Sequence, residues 1–249
     1  MKKQTQKKIE GEILYGAHPI IEMLKAKKRK LISIYTTKKP PKAWERILRY
    51  LPKQVPNIQY VERAVLDRLA GGTDHMGVVA WVTPFKFCKA VFTPDKKPLI
   101  LLLDAVQDVR NLGAILRSAY CMGINGVVLC KKDSAPINAA VFKASAGLAE
   151  YLDIHIAPSM AHAVTQLKHN GYEMYMAVLD GIDATQVTYH KGSCLVIGNE
   201  ATGIAKNIRS EGMLITLPQR NAEISYNASV ASALLMFTIA QKMDILPKM

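Results

Sequence analysis

From Leu99 onward the chain alternates short apolar runs with amphipathic stretches, and this alternation limits the possible fold more than any other feature. Strands are expected at 99–103, 126–130, 153–157, 172–178, 195–198 and 213–217. Helices are expected at 112–122, 137–146, 160–169 and 204–209, with a longer one at 228–243. Strands separated by helices are joined by crossovers, so the expected domain is α/β with a mostly parallel sheet. Periodicity alone describes an open, unknotted sheet, because chains rarely thread through their own loops.

A chain of 249 residues fits about two domains. Its charge divides it. Residues 1–97 carry 21 Lys/Arg against 8 Asp/Glu, and residues 98–249 carry 12 against 12, so the whole net charge of +13 is N-terminal. A basic module joined to a neutral one suggests one part that grips a polyanion and another that does chemistry on it. The first module reads as mixed α/β: a helix opening at His18-Pro19, a strand at 31–35, a helix at 43–51 and a strand at 77–82. The expected division is 1–84 for an RNA-binding domain, 85–97 for a linker and 98–249 for a catalytic domain.

The composition excludes several classes. Hydrophobic residues make up 49% of the chain, enough for a buried core. No apolar run approaches the ~20 residues of a membrane span. The basic start MKKQTQKK is followed by no apolar signal-peptide segment. Cys88, Cys121, Cys130 and Cys194 form no CxxC pair and have no nearby histidine partners. They read as small buried residues of a reducing compartment, with no metal site and no disulfide framework, and cytoplasm is the expected location.

The densest positive stretch, 25–53, holds 11 Lys/Arg and one acid, Glu45. Tyr35, Trp44, Tyr50 and Tyr60 lie within or near it. Cations for phosphates and rings for unpaired bases are the pairing that holds single-stranded RNA. Lys27, Lys28, Arg29 and Lys30 are the candidate RNA contacts. A solvated lysine face over core aromatics is the competing explanation.

Three loops carry the polar residues of the second module. No GxGxxG or GxxxxGKS follows its first strand. That strand runs instead into DAVQDVRNLGAILRSA, which places Asn111 just before a helix, Gly113 in its first turn and Arg117 further along. The second loop, LVIGNEATGI, delivers Gly198, Asn199, Glu200 and Gly203. The third, ITLPQRNAEISYNASVASA, carries Leu217, Ser225, Tyr226 and Asn227 into the last helix. Singly, Asn111 could be an N-cap, the glycines turn formers, and Ser225 and Asn227 caps of the final helix. Arg117 sits among Leu112, Ala114, Ile115, Leu116 and Ala119, where a buried cation would need a partner or a substrate.

Together and in this order, the loops resemble the three motifs of the SpoU/TrmH family of RNA ribose 2′-O-methyltransferases, within the SPOUT superfamily. The first is similar to N-x-G-A-I-x-R-S-A, the second to G-x-E-x-x-G, and the third to a proline followed by S-x-N-x-S-V-A. YGAHPIIEML and GTDHMGVVAWV resemble the family's small N-terminal substrate-binding domain, similar to ribosomal protein L30e. The resemblance implies a C-terminal α/β domain with a trefoil knot, a homodimer built through it, and S-adenosylmethionine bound among the knot loops. Carried over, Gly198, Leu217, Tyr226 and Asn227 form the cofactor cup, with Leu179 near the adenine. Gln219 and Asn221 stand where the family usually has Met and Gly, Tyr226 and Ala228 where it has Leu and Val, and Met76 where it commonly has Gln.

The sulfonium methyl is already electrophilic, so the implied chemistry requires no metal. The obstacle is the ribose 2′-OH, a poor nucleophile until its proton is drawn away. The resemblance assigns catalysis to Asn111, Arg117, Glu200, Ser225 and Asn227. Arg117 would stabilise alkoxide charge and grip the adjacent phosphate. Asn111 would orient the nucleotide or Arg117. Glu200 would hold Arg117 or help accept the proton. The expected substrate is ribosomal RNA, at a guanosine of the large subunit. A tRNA methyltransferase and a non-catalytic RNA-binding assembly factor are the alternatives.

Overall fold

The computed structural model describes residues 10–54, 57–221 and 225–246. The basic start at 1–8 lies outside the described residues. The chain forms two compact units, divided between Lys86 and Phe87.

In the first unit, β1 (Glu12–Tyr15), β2 (Leu31–Thr36), β3 (Asn57–Tyr60) and β4 (Val78–Val82) form one sheet in the order β1-β4-β2-β3. β4 runs antiparallel to both β1 and β2, and β3 runs parallel to β2. The helices are α1 (Ala17–Ala26), α2 (Trp44–Leu48) and α3 (Arg63–Ala70). Leu14, Ile20, Met23, Ile34, Ile47 and Leu66 are fully buried. Beyond the elements expected from sequence, β1, β3 and α3 are present.

In the second unit, β5 (Leu99–Leu103), β6 (Gly126–Cys130), β7 (Asp153–Ala157), β8 (Glu173–Asp183), β9 (Ser193–Ile197) and β10 (Met213–Thr216) form a six-stranded sheet in the order β10-β8-β9-β5-β6-β7. Every pairing in it is parallel. β5, β6 and β9 are buried at every position. That explains the unbroken apolar sequences of β5 and β6, because a strand covered on both faces need not alternate. β8 runs five residues past its expected end, since it resumes pairing with β10 beyond an irregularity between Leu214 and Ile215. The helices are α4 (Val109–Cys121), α5 (Ala139–Ala144), α6 (Met160–His169), α7 (Lys206–Arg209) and α8 (Ala228–Lys242).

The segment expected as a linker, 85–97, is shared between the units. Phe85 belongs to the first unit, where its amide donates to Glu12 (3.2 Å). Cys88 makes a parallel bridge to His155 at the outer edge of β7. Phe92 enters the core with Ile100, Leu102 and Tyr172, and its carbonyl accepts from Asn170 Nδ2 (3.0 Å). Proline and lysine give the segment the look of a free linker, but Phe85 and Phe92 are buried.

Among the described residues, no helix is long and apolar enough to cross a membrane, and no group of three or more His, Cys, Asp or Glu could hold a metal ion. None of the four cysteines forms a disulfide among the described residues.

Candidate functional site

The site is set by where α4 begins. Asp108 caps it, accepting from the Arg110 amide (2.7 Å), so Asn111 is the third residue of the helix and does not precede it. Because Asp108 satisfies that helix end, the Asn111 carboxamide is free to reach outward. Its Nδ2 donates to Glu200 Oε1 (3.1 Å) and its Oδ1 accepts from Asn227 Nδ2 (3.2 Å).

Asn227 is the N-cap of α8. Its Oδ1 accepts from both the amide (2.9 Å) and the hydroxyl (2.6 Å) of Ser229. An N-cap needs an acceptor, so this cap fixes which end of the Asn227 amide faces the helix. The NH2 end must then face Asn111, whose own NH2 end must face Glu200. One helix cap thus orders a relay of two carboxamides that ends on a carboxylate. Asn111 lies in the first turn of α4, Glu200 in the loop after β9 and Asn227 at the cap of α8, so sequence separation hid this link.

A second residue ties the loops together. Asn199 Nδ2 donates to the Ala105 carbonyl (2.9 Å), while its Oδ1 accepts from the amides of Ala201 (2.8 Å) and Thr202 (3.0 Å) and from the Thr202 hydroxyl (3.3 Å). Ala105 has a φ of 49°, an unfavourable backbone for a residue with a Cβ. Asn199 therefore joins the loop after β9 to a strained turn after β5 and sets the backbone from which Glu200 projects. Gly198 precedes it because the chain doubles back closely: a Cβ there would lie 2.5 Å from the Ile204 nitrogen.

These loops enclose a cavity of about 620 Å³ at the C-terminal ends of β8, β9 and β10. Ile197, Leu217 and Leu235 give it apolar wall, and Glu200, Asn111 and Asn227 give it a polar side. Leu179, Gly198, Ser225 and Tyr226 line it as well. Thr216 Oγ1 donates to the Leu179 carbonyl (3.2 Å), joining the end of β10 to β8. Arg209, which the sequence reading missed, is the one cation among the described lining residues. Its Nε donates to the Ile204 carbonyl (2.9 Å), and its Nη1 lies 3.6 Å from Asp180.

Arg117 is not brought to this cavity. Leu112, Ile115, Leu116 and Ala119 form the buried face of α4, whereas Arg117 is exposed and makes no hydrogen bond or ion pair among the described residues. On this largely apolar helix Arg117 occupies the exposed face, and of the partner or substrate expected for it the fold supplies no partner among the described residues. Glu200 holds Asn111 instead.

The first unit separates the expected RNA contacts. Lys27, Lys28 and Lys30 are exposed. Arg29 is buried: its Nη2 pairs with Glu12 (2.8 Å) and its Nε donates to the Thr83 carbonyl (2.7 Å). It is an internal tie and has no free guanidinium to offer RNA. Trp44 is a core residue, while Tyr50 and Tyr60 are exposed, and Lys25 Nζ lies 5.1 Å from the Tyr50 ring centre.

Comparison with known proteins gives the family and the fold. Residues 98–237 match the SpoU rRNA Methylase family, and residues 13–88 match the RNA 2'-O ribose methyltransferase substrate-binding family. The 23S rRNA (guanosine-2'-O-)-methyltransferase RlmB of Pasteurella multocida is 31% identical over 243 residues, 93% of this chain and 98% of that protein. A solved RNA 2'-O ribose methyltransferase superposes with a TM-score of 0.82 at 19% identity, covering 98% of this chain and 93% of that one. The SpoU methyltransferase AviRb of Streptomyces viridochromogenes, solved in complex with AdoMet, superposes with a TM-score of 0.77 at 17% identity, covering 97% and 94%. These two structures share the fold.

Proposed function

This chain belongs to the SpoU rRNA methylase family, and from that premise we propose that it methylates a ribose 2′-hydroxyl of large-subunit ribosomal RNA, at a guanosine, using S-adenosylmethionine. The observation that carries the reading is the Asn227–Asn111–Glu200 relay on the wall of the cavity. The relative from Pasteurella multocida, matched over 93% of this chain, carries that activity in its name.

The cavity suits the cofactor. Its volume of about 620 Å³ falls within the ordinary range for small-molecule sites. Apolar wall at Ile197, Leu217 and Leu235 suits a ring, and Arg209 offers a cation to a carboxylate. Gly198, Leu217, Tyr226 and Asn227 hold the cofactor, with Leu179 at the adenine end. When bound, S-adenosylmethionine supplies an electrophilic methyl group.

The chain's own residues handle the ribose. Glu200 has one oxygen engaged by Asn111 and uses the carboxylate to draw the proton from the 2′-hydroxyl. Asn111, held at both ends, orients the nucleotide. Arg117 meets the RNA from the exposed side of α4, gripping phosphate and stabilising charge on the 2′-oxygen. Ser225 contributes a hydroxyl to the same wall.

The wider assembly follows from the same premise. A second copy packs on α8, where Val230, Leu234 and Phe237 form an exposed apolar stripe at helical spacing. The C-terminal segment forms a trefoil knot. Supporting this, β10 lies at the sheet edge while α8 returns to pack on α4 and β9. Four cysteines without a disulfide suit the cytoplasm. Lys27, Lys28 and Lys30 bind RNA from the first unit.

The test is mass-spectrometric mapping of ribose methylation in rRNA and tRNA from cells with and without the protein. One 2′-O-methylguanosine missing from large-subunit rRNA is expected. A difference confined to tRNA would overturn the substrate, and no difference in either would overturn the enzyme.

A further inference from the structure

A second cavity, of about 690 Å³, opens along the outer edge of β7, between residues 89–91 and α6. Three of the chain's six histidines line it: His155, His162 and His169. Lys89, Thr165, Gln166 and Asn170 add to its polar lining, and among the described residues no carboxylate lines it. Residues 98–249 carry as many acids as bases, so a wall with one cation and no acid departs from its surroundings.

The local structure explains why these groups face outward. His155 sits on β7, nearly buried, with Nδ1 bonded to the Cys88 carbonyl (2.9 Å). A carbonyl only accepts, so Nδ1 carries the proton and Nε2 is left free. His162, Gln166 and His169 recur along one face of α6 at helical spacing. The side chains of Lys89, His162 and His169 are exposed and make no hydrogen bond or ion pair among the described residues. Gln166 Oε1 is enclosed and has no donor. An enclosed acceptor without a donor is costly, and a ligand that supplies one relieves that cost. Asn170 spends its Nδ2 on the Phe92 carbonyl (3.0 Å), which leaves its Oδ1 to accept.

Resting on the RNA reading above, we propose that this cavity is a second RNA-contact site, which holds one unpaired nucleotide of the substrate away from the position of methyl transfer. Each part of a nucleotide has a counterpart in the lining. Lys89 meets the phosphate. The imidazoles of His162 and His169 offer planes on which a base stacks, as is usual for unpaired RNA. The carboxamide oxygens of Gln166 and Asn170 accept from amino or imino groups on the base edge. In the order β9-β5-β6-β7, the cavity lies three strand spacings from β9, the strand that leads to Glu200. That separation is about 14 Å, too far for both sites to hold one nucleotide and near enough for one folded RNA to reach both.

The test uses the full chain, 4-thiouridine-substituted transcripts of 23S rRNA and the variant Lys89→Ala/His162→Ala/His169→Ala. These three side chains are exposed, so their loss leaves the core intact. Gln166→Leu, made separately, keeps the size of the side chain and removes the acceptor. The wild type is expected to crosslink through residues 155–170. The triple variant is expected to lose that crosslink and to raise KM for the transcript about tenfold, with kcat and S-adenosylmethionine affinity unchanged. Gln166→Leu should raise KM in the same direction with wild-type thermal stability. An unchanged KM with no crosslink in the wild type would overturn the second site while leaving the methyltransferase intact. Wild-type protein that transfers no methyl to any rRNA transcript would overturn the proposed function, and this site with it.

Discussion

Asn227 Nδ2 donates to Asn111 Oδ1 across 3.2 Å, joining the cap of the last helix to the first polar motif of its domain. Asn227→Asp separates these two duties. Aspartate caps a helix about as well as asparagine, so thermal stability should stay within about 0.5 kcal/mol of wild type. The donor to Asn111 is lost and a carboxylate faces its Oδ1. Single-turnover methyl transfer should fall by about 10², the scale of one lost orienting donor. Transfer at the wild-type rate would remove the relay from the mechanism. Asn227→Ala should lose about 1 kcal/mol of stability as well.

Arg117→Ala should abolish transfer, by about 10² to 10³ in rate, with cofactor affinity unchanged. Arg117 is exposed and absent from the cavity wall, so the cofactor has no reason to register its loss. Arg117→Lys should rescue poorly, because an ammonium lacks the planar fork that holds phosphate and alkoxide together. The measurements are labelled-methyl transfer to rRNA and calorimetry with S-adenosylmethionine. Equal loss of both would make the residue structural.

Asn199→Ala removes four hydrogen bonds, one that ties the loop after β9 to the turn at Ala105 and three that hold the loop itself at Ala201 and Thr202. A loss of about 1 to 3 kcal/mol is expected from the unpaired backbone groups, with weaker cofactor binding because Gly198 and Glu200 flank the residue. Differential scanning calorimetry with and without S-adenosylmethionine reads both. An unchanged melting curve and affinity would show that the loop holds without its clamp.

A fragment of residues 87–249 should fold and bind S-adenosylmethionine, and one of residues 98–249 should be much less stable. The shorter fragment strips Phe92 from the core and breaks the Cys88-to-Ile154 backbone bond. Removing a buried phenyl group alone costs about 3 to 5 kcal/mol. Equal melting temperatures for the two fragments would contradict the packing of 88–97.

Alkaline pH should destabilise the second unit. Burial pushes the thiol of Cys130 up to about 12 and the hydroxyl of Tyr175 up to about 12, and it raises Tyr172, Tyr189 and Cys194 as well. Each group is held protonated in the fold, so its contribution is full below its unfolded value. That value is about 8.5 for a thiol and about 10 for tyrosine. Above it the unfolded chain releases protons that the folded chain keeps, and stability is lost as pH rises toward the folded value. Thermal melts from about pH 8 to about pH 11 should fall steadily, and a flat profile would refute the linkage.

The parallel sheet was legible because its central strands are buried on both faces and therefore apolar without interruption: β5 and β6 lie where periodicity places them. β1 and β3 escaped notice as four-residue edge strands with mixed burial. The three motifs were legible as loops, but their geometry was not. Asp108 and Asn111 are both good caps, and sequence gives no means of seeing that the chain uses the first. Arg29 looks like Lys27, Lys28 and Lys30 in a basic run, and only the fold places Glu12 and the Thr83 carbonyl against it. Arg209 carried no motif, and it reaches the cavity wall because α7 follows directly on the Gly203 turn.

The cap at Asn227 also bears on how the protein is made. Asn227 is oriented by the amide and hydroxyl of Ser229 only once α8 has wound, and α8 runs to Lys242. A growing polypeptide can hold the loops at Asn111 and Glu200 well before then, yet its relay has no fixed first member. The relay should therefore be complete only after the start of α8 has been made. A polypeptide cut short before α8 should be silent, whatever else of the domain it has managed to fold.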